Sequence, residues 1–172
     1  ASCILLLHGT GASTHSWRAM LPLLSDNYSV LAIDLPGHGF TTMPQASDIA
    51  TLFSIPGMAA GVAELLMQMQ FKPDIVVGHS AGAAVACMLT LNGHIQTQRL
   101  VSINGALLPL DGLAGQVFSP LAKMLTKAPW IPEFFAWQAG RASVLNKLLE
   151  GTGSILDTEG TRLYKTLISN PS

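Results

Sequence analysis

Residues 2–7 read as one apolar run that ends at once in His8-Gly9-Thr10-Gly11. An uninterrupted stretch of this length, closed by glycines, predicts a strand buried on both faces, as at the centre of a parallel sheet. Trp17, Met20, Leu21 and Leu24 then recur at i, i+3, i+4 and i+7, the spacing of a helix with one stripe against the sheet, capped by Ser13 or Thr14. Residues 28–33 predict a second strand. It ends in Asp34-Leu35-Pro36-Gly37-His38-Gly39, where two glycines and a proline impose a turn, and a long loop follows. Ser54-Ile55-Pro56 opens the next helix with a cap and an early proline; Met58, Val62, Leu65, Leu66 and Met69 form its expected buried face, and it ends near Phe71.

Residues 73–77 predict a third strand, with Ser80 at the turn after it. Residues 81–91 are so apolar and small that they predict a helix buried against the sheet, closed by Asn92-Gly93. A fourth strand spans 99–103. Residues 1–105 thus alternate strand and helix, which implies right-handed crossovers and a mostly parallel sheet with helices on both faces: the class is α/β. From Ala106 the pattern turns to helices alone, over 113–127, 133–149 and 158–168, with Trp130, Phe134, Phe135 and Trp137 clustered among prolines. Residues 106–172 are expected to form a separate helical layer. The chain opens inside a strand pattern and stops just after a helical one, so a fragment is expected, missing the first strands and the C-terminal part.

Composition narrows the ligand. The 172 residues are 49% hydrophobic and only 11% charged, with 9 Lys plus Arg against 10 Asp plus Glu, so no basic face recommends nucleic acid or an anionic membrane. A small-molecule ligand is expected. The apolar runs are shorter than the ~20 residues of a spanning helix and no basic region precedes the first of them, which predicts a soluble, cytoplasmic protein without a membrane span. Cys3 and Cys87 offer neither a disulfide framework nor metal spacing, and read as buried structural thiols.

The strongest chemical signal is Gly78-His79-Ser80-Ala81-Gly82, a G-x-S-x-G pattern between an apolar strand and a small-residue helix. A nucleophile at such an elbow sits on a tight, strained turn, and Gly78 and Gly82 let neighbouring backbone approach without a Cβ clash. Ser80 would project into the crevice beyond the strand ends, where the N-terminus of the following helix favours a developing anion. Acyl transfer also needs two backbone N–H donors aimed at the oxyanion. Ala81 supplies one; the loop His8-Gly9-Thr10-Gly11 supplies the other, from Thr10 or alternatively Gly11. His8 reads as a hydrogen-bonded loop residue, Asp34 as a carboxylate that binds loop N–H groups, and His79 as a residue that lines or supports the pocket.

A serine hydroxyl needs a histidine to take its proton and an acid to orient that histidine. In this type of fold the order is Ser, acid, His, and the only histidine after Ser80 is His94, at the end of the very next helix. Asp111, Glu133, Glu150, Asp157 and Glu159 fall in the helical layer or its approaches rather than after a strand. The acid and base are expected beyond Ser172.

HGTG, DLPGHG and GHSAG, in that order, resemble the α/β-hydrolase superfamily. More narrowly, GASTHSW, DLPGHGFT, GHSAGAAVA, INGALLP, GLAGQVFSPLAKML and GTGSILD resemble the magnesium chelatase accessory protein family of bacteriochlorophyll biosynthesis, which has the α/β-hydrolase fold. The resemblance implies that the helical layer is a cap over Ser80, with Trp130, Phe134, Phe135 and Trp137 as pocket walls, although aromatics at such spacing also fill cores. It implies a link to a chelatase or another tetrapyrrole pathway protein. The residues themselves support ester or related acyl hydrolysis through a Ser80 acyl-enzyme, with no cofactor and no metal required. Acyl transfer, C–C hydrolysis and peroxyacid formation use the same groups and stay open, as does a non-catalytic role in binding a tetrapyrrole or assisting a chelatase.

Overall fold

The computed structural model describes residues 1–42, 49–107 and 157–168. These fall in two units, one within Ala1–Leu107 and the other within Leu108–Pro171. In the first unit four strands, β1 (Cys3–Leu7), β2 (Ser29–Ile33), β3 (Ile75–His79) and β4 (Arg99–Ile103), form an all-parallel sheet in the order β2-β1-β3-β4. β1 is central: Leu5 pairs with Leu31 on one side and Val76 on the other. Its continuous apolar run follows from that position, because Leu5 and Leu7 enter one core cluster while Ile4 and Leu6 enter the cluster on the opposite face.

Two helices cover the first face: α3 (Ile55–Gln68) and α4 (Ala81–Leu91), which follow a short α2 (Ile49–Leu52). Ser54 caps α3 as expected, its hydroxyl accepting the Gly57 N–H at 3.1 Å, with Pro56 in the first turn where a missing N–H costs nothing. The buried stripe of α3 is Met58, Ala59, Val62 and Leu66. Leu65 and Met69, expected in that stripe, are 37% and 50% exposed. The small Ala59 packs with no exposure at all, which centres the stripe on it and turns Leu65 to the flank.

The opposite face carries a 3₁₀ turn (Thr14–Trp17) and α1 (Leu21–Ser25). Residues 14–25 are therefore two short pieces rather than the single helix that the periodicity suggests. Pro22 accounts for the break: its ring excludes the carbonyl of Arg18, four residues back, so the chain restarts with Pro22 in a first turn. Trp17 is buried, and Met20, Leu21 and Leu24 pack against its cluster, so the stripe survives the break. Ser13 does not cap this turn; its hydroxyl bonds to His15 Nδ1, and the Thr14 N–H goes to Asp34 Oδ1 at 2.7 Å.

β3 starts at Ile75, two residues later than expected, and runs on to His79, because Gly78 and His79 still pair with Ser102 and Ile103 of β4. Asp74 brackets its entry: its N–H donates to the Cys3 carbonyl at 2.9 Å and its carboxylate accepts the Cys3 N–H at 2.8 Å. In the second unit the described element is α5 (Thr158–Ile168), with the boundaries expected. The Asp157 carboxylate accepts the Gly160 N–H at 2.6 Å at its start, and Arg162 Nε donates to Glu159 at 2.8 Å. The other helices expected in 106–156 lie outside the described residues. Among the described residues no helix is long and apolar enough to cross a membrane.

Candidate active site

Ser80 joins β3 directly to α4 with φ 52° and ψ −119°, a conformation that L-residues rarely adopt. Strain of this kind costs roughly 1–3 kcal/mol and persists only where the surroundings over-determine it. Three hydrogen bonds do so here. The Ser80 N–H donates to the Ile103 carbonyl at 3.0 Å, and the Ser80 carbonyl accepts from Ala83 at 3.1 Å and from Ala106 at 3.0 Å. The peptide on either side of Ser80 is thus tied both to its own helix and to the chain leaving β4.

Gly78 and Gly82 lie where backbone passes closest. A Cβ on Gly78 would sit 2.5 Å from the backbone of Ala83, and one on Gly82 would sit 2.4 Å from the Leu7 carbonyl oxygen and 2.5 Å from that of His8. The start of α4 therefore presses against the end of β1, and only hydrogen fits between them. That contact brings the loop after β1 onto the elbow: a Cβ on Gly9 would lie 2.9 Å from Ser80 Cβ and 3.1 Å from His79 Nδ1. In the sequence Gly9 carries no signal of this contact beyond its place at the end of a buried strand.

Residues 9–12 form a tight turn in which the Ala12 N–H donates to the Gly9 carbonyl at 3.2 Å and Gly11 takes φ 70°. Thr10 is exposed on this turn. Among the described residues, the N–H groups of Thr10, Gly11 and Ala81 have no hydrogen-bond acceptor. Ala81 opens α4, whose N-terminal dipole adds positive potential beside Ser80.

The side chains of His8 and Asp34 bond the loops around the elbow. The fully buried His8 ring donates from Nδ1 to the Gly9 carbonyl at 2.8 Å, and its Nε2 accepts the Leu35 N–H at 3.0 Å. This assigns the neutral Nδ1–H tautomer, and burial pushes the His8 pKa below its ordinary value, assisted by His38, whose ring stands edge-on at 5.2 Å. Asp34 accepts the N–H groups of Thr14 at 2.7 Å and Phe40 at 3.1 Å and lies 3.9 Å from His8 Nε2. His38 bonds the Pro36 carbonyl at 3.1 Å. Burial also lowers the pKa of His15, with Arg18 adding to the effect. The exposed His79 flanks Gly9.

His94 lies at the other end of the sheet. It lines a cavity of about 690 Å³ with Lys72, Asp74 and the ends of α3 and α4, and the length of β3, roughly 20 Å for its six steps from Asp74, separates this region from Ser80. Among the described residues no cluster of His, Cys, Asp and Glu could hold a metal ion. Trp130, Phe134, Phe135 and Trp137 lie outside the described residues, as do Asp111, Glu133 and Glu150.

The model of the Alpha/beta hydrolase family matches residues 4–167. The magnesium-chelatase 30 kDa subunit of Rhodobacter capsulatus is 38% identical over 168 residues, which is 98% of this chain and 57% of that protein. Among solved structures, an epoxide hydrolase without ligand superposes with a TM-score of 0.75 at 20% identity, covering 99% of this chain and 62% of its own. An esterase from Exiguobacterium antarcticum superposes with a TM-score of 0.71 at 18% identity, covering 100% and 62%. At such identities the likeness to the solved structures is one of fold, and the chain spans less than two thirds of the length of these relatives.

Proposed function

Because the chain belongs to the alpha/beta hydrolase family, we propose that it is the nucleophile-bearing part of a serine hydrolase acting on an ester or related acyl substrate. The observation that carries this reading is the conformation of Ser80, held at φ 52° between β3 and α4 with the Gly9 loop against it. In this mechanism the Ser80 hydroxyl attacks the acyl carbon and loses its proton to a histidine base. The carbonyl oxygen becomes an oxyanion that accepts from the N–H of Ala81 and of Thr10, with Gly11 as the alternative donor. Collapse expels the leaving group, and water then releases the acyl-enzyme. Neither His8, with both nitrogens engaged, nor the distant His94 suits the role of base.

The name of the Rhodobacter capsulatus relative favours a second reading, in which the protein serves a magnesium chelatase in bacteriochlorophyll biosynthesis and the crevice binds a tetrapyrrole without reaction. Treating the full-length protein with a fluorophosphonate separates the two. Stoichiometric labelling, abolished by Ser80→Ala, is expected for an activated nucleophile; folded protein that stays unlabelled would sink the hydrolase reading.

A further inference from the structure

The strand pairing brings a second residue of unusual conformation to the side of Ser80. Gly78 pairs with Ser102 and His79 with Ile103, so Ser80 and Asn104 are the residues that follow the last pair of the two strands. Asn104 is bracketed by the two hydrogen bonds that tie β4 to the elbow, since the Ile103 carbonyl accepts from Ser80 and the Ala106 N–H donates to it. Asn104 has φ 45°, and the following Gly105 has room for no side chain, a Cβ there falling 2.2 Å from Ser102 Oγ and 2.9 Å from Ala83 Cβ. The chain thus turns sharply against the elbow and leaves Asn104 exposed at the carboxyl end of the sheet, its carboxamide without a partner among the described residues. Ligands of open parallel sheets bind at that end.

The geometry points to Asn104 as a specificity-determining residue whose carboxamide hydrogen-bonds an oxygen carried by the acyl group next to the scissile carbonyl. This rests on the proposed role of Ser80. The preferred substrates are then acyl groups with an oxygen near the carbonyl rather than plain hydrocarbon chains. Asparagine tolerates a left-handed φ better than most residues, and a turn requirement alone would be met equally by glycine.

The test compares p-nitrophenyl methoxyacetate with p-nitrophenyl butyrate, acyl groups of equal length in which an ether oxygen replaces a methylene. The ratio of their kcat/KM values is measured in the full-length protein and in Asn104→Gly. Intrinsic ester reactivity cancels between the two proteins, and a disturbed elbow slows both esters alike. The expected result is a roughly three- to tenfold fall in the methoxyacetate preference, the size of one neutral hydrogen bond. Hydrolysis with an unchanged ratio overturns the inference alone. Absence of both fluorophosphonate labelling and hydrolysis in the unsubstituted protein overturns the nucleophile reading and this inference together.

Discussion

The imidazole of His8 accepts the Leu35 N–H at 3.0 Å, joining the loop that touches Ser80 to the loop that follows β2. Protonation would turn this acceptor into a donor facing a donor. Burial holds the His8 pKa below the ordinary 6.5, so above that pH both folded and unfolded chains carry neutral imidazole and the stability is fully present. As pH falls through 6.5 toward the lower folded value, the unfolded chain binds the proton first and stability is lost. His15 acts in the same direction. Urea denaturation at pH 7.5 and pH 5.5 is expected to show the acid loss, with a shallower decline in His8→Gln.

Replacing Gly82 with alanine drives a methyl group into the Leu7 and His8 carbonyls. The expected cost is roughly 1–3 kcal/mol, as for overpacking elsewhere, read as a lower urea midpoint.

Gly9→Ala sets its methyl 2.9 Å from Ser80 Cβ and 3.3 Å from the His79 carbonyl oxygen, so the loop and the elbow must move apart. A loss of stability is expected together with a fall in the rate of fluorophosphonate labelling of roughly tenfold or more, since small displacements of a reacting group are costly. An unaltered labelling rate would argue that the loop yields freely.

Asp34→Asn separates a structural carboxylate from a catalytic one. Its two N–H partners, from Thr14 and Phe40, would face an amide that cannot accept at both positions, for a loss of roughly 1–3 kcal/mol. Labelling of Ser80 is expected to persist; its disappearance in a folded variant would assign Asp34 to the chemistry.

At Ser54→Ala the Gly57 N–H loses its acceptor. A stability loss of about 1 kcal/mol is expected, with the Ser80 labelling rate unchanged.

Elements bounded by sharp local signals were legible in the sequence. α4 and β4 have the limits expected because the Ser80 turn, Asn92-Gly93 and the polar residues before Arg99 leave little choice. The break between Trp17 and Leu21 was missed because apolar spacing says nothing of the carbonyl that Pro22 displaces. The position of Ser80 between a strand and a helix was equally local. Gly9 and Asn104 were not singled out, because each reaches Ser80 only through the pairing of β3 with β1 or with β4, and an Asn-Gly pair after a strand reads simply as a turn.

The pairing of β1 with β3 has a kinetic consequence. Cys3 and Asp74 meet across 71 positions of chain, and the contact of Gly9 with Ser80 spans as long a loop. Such nonlocal contacts form only after a large closure entropy has been overcome, which slows the search for the native state. α3 and α4 can begin to coil on their own, but Ser80 acquires its surroundings only when β1 docks. The elbow is therefore complete only once β1 has paired with β3.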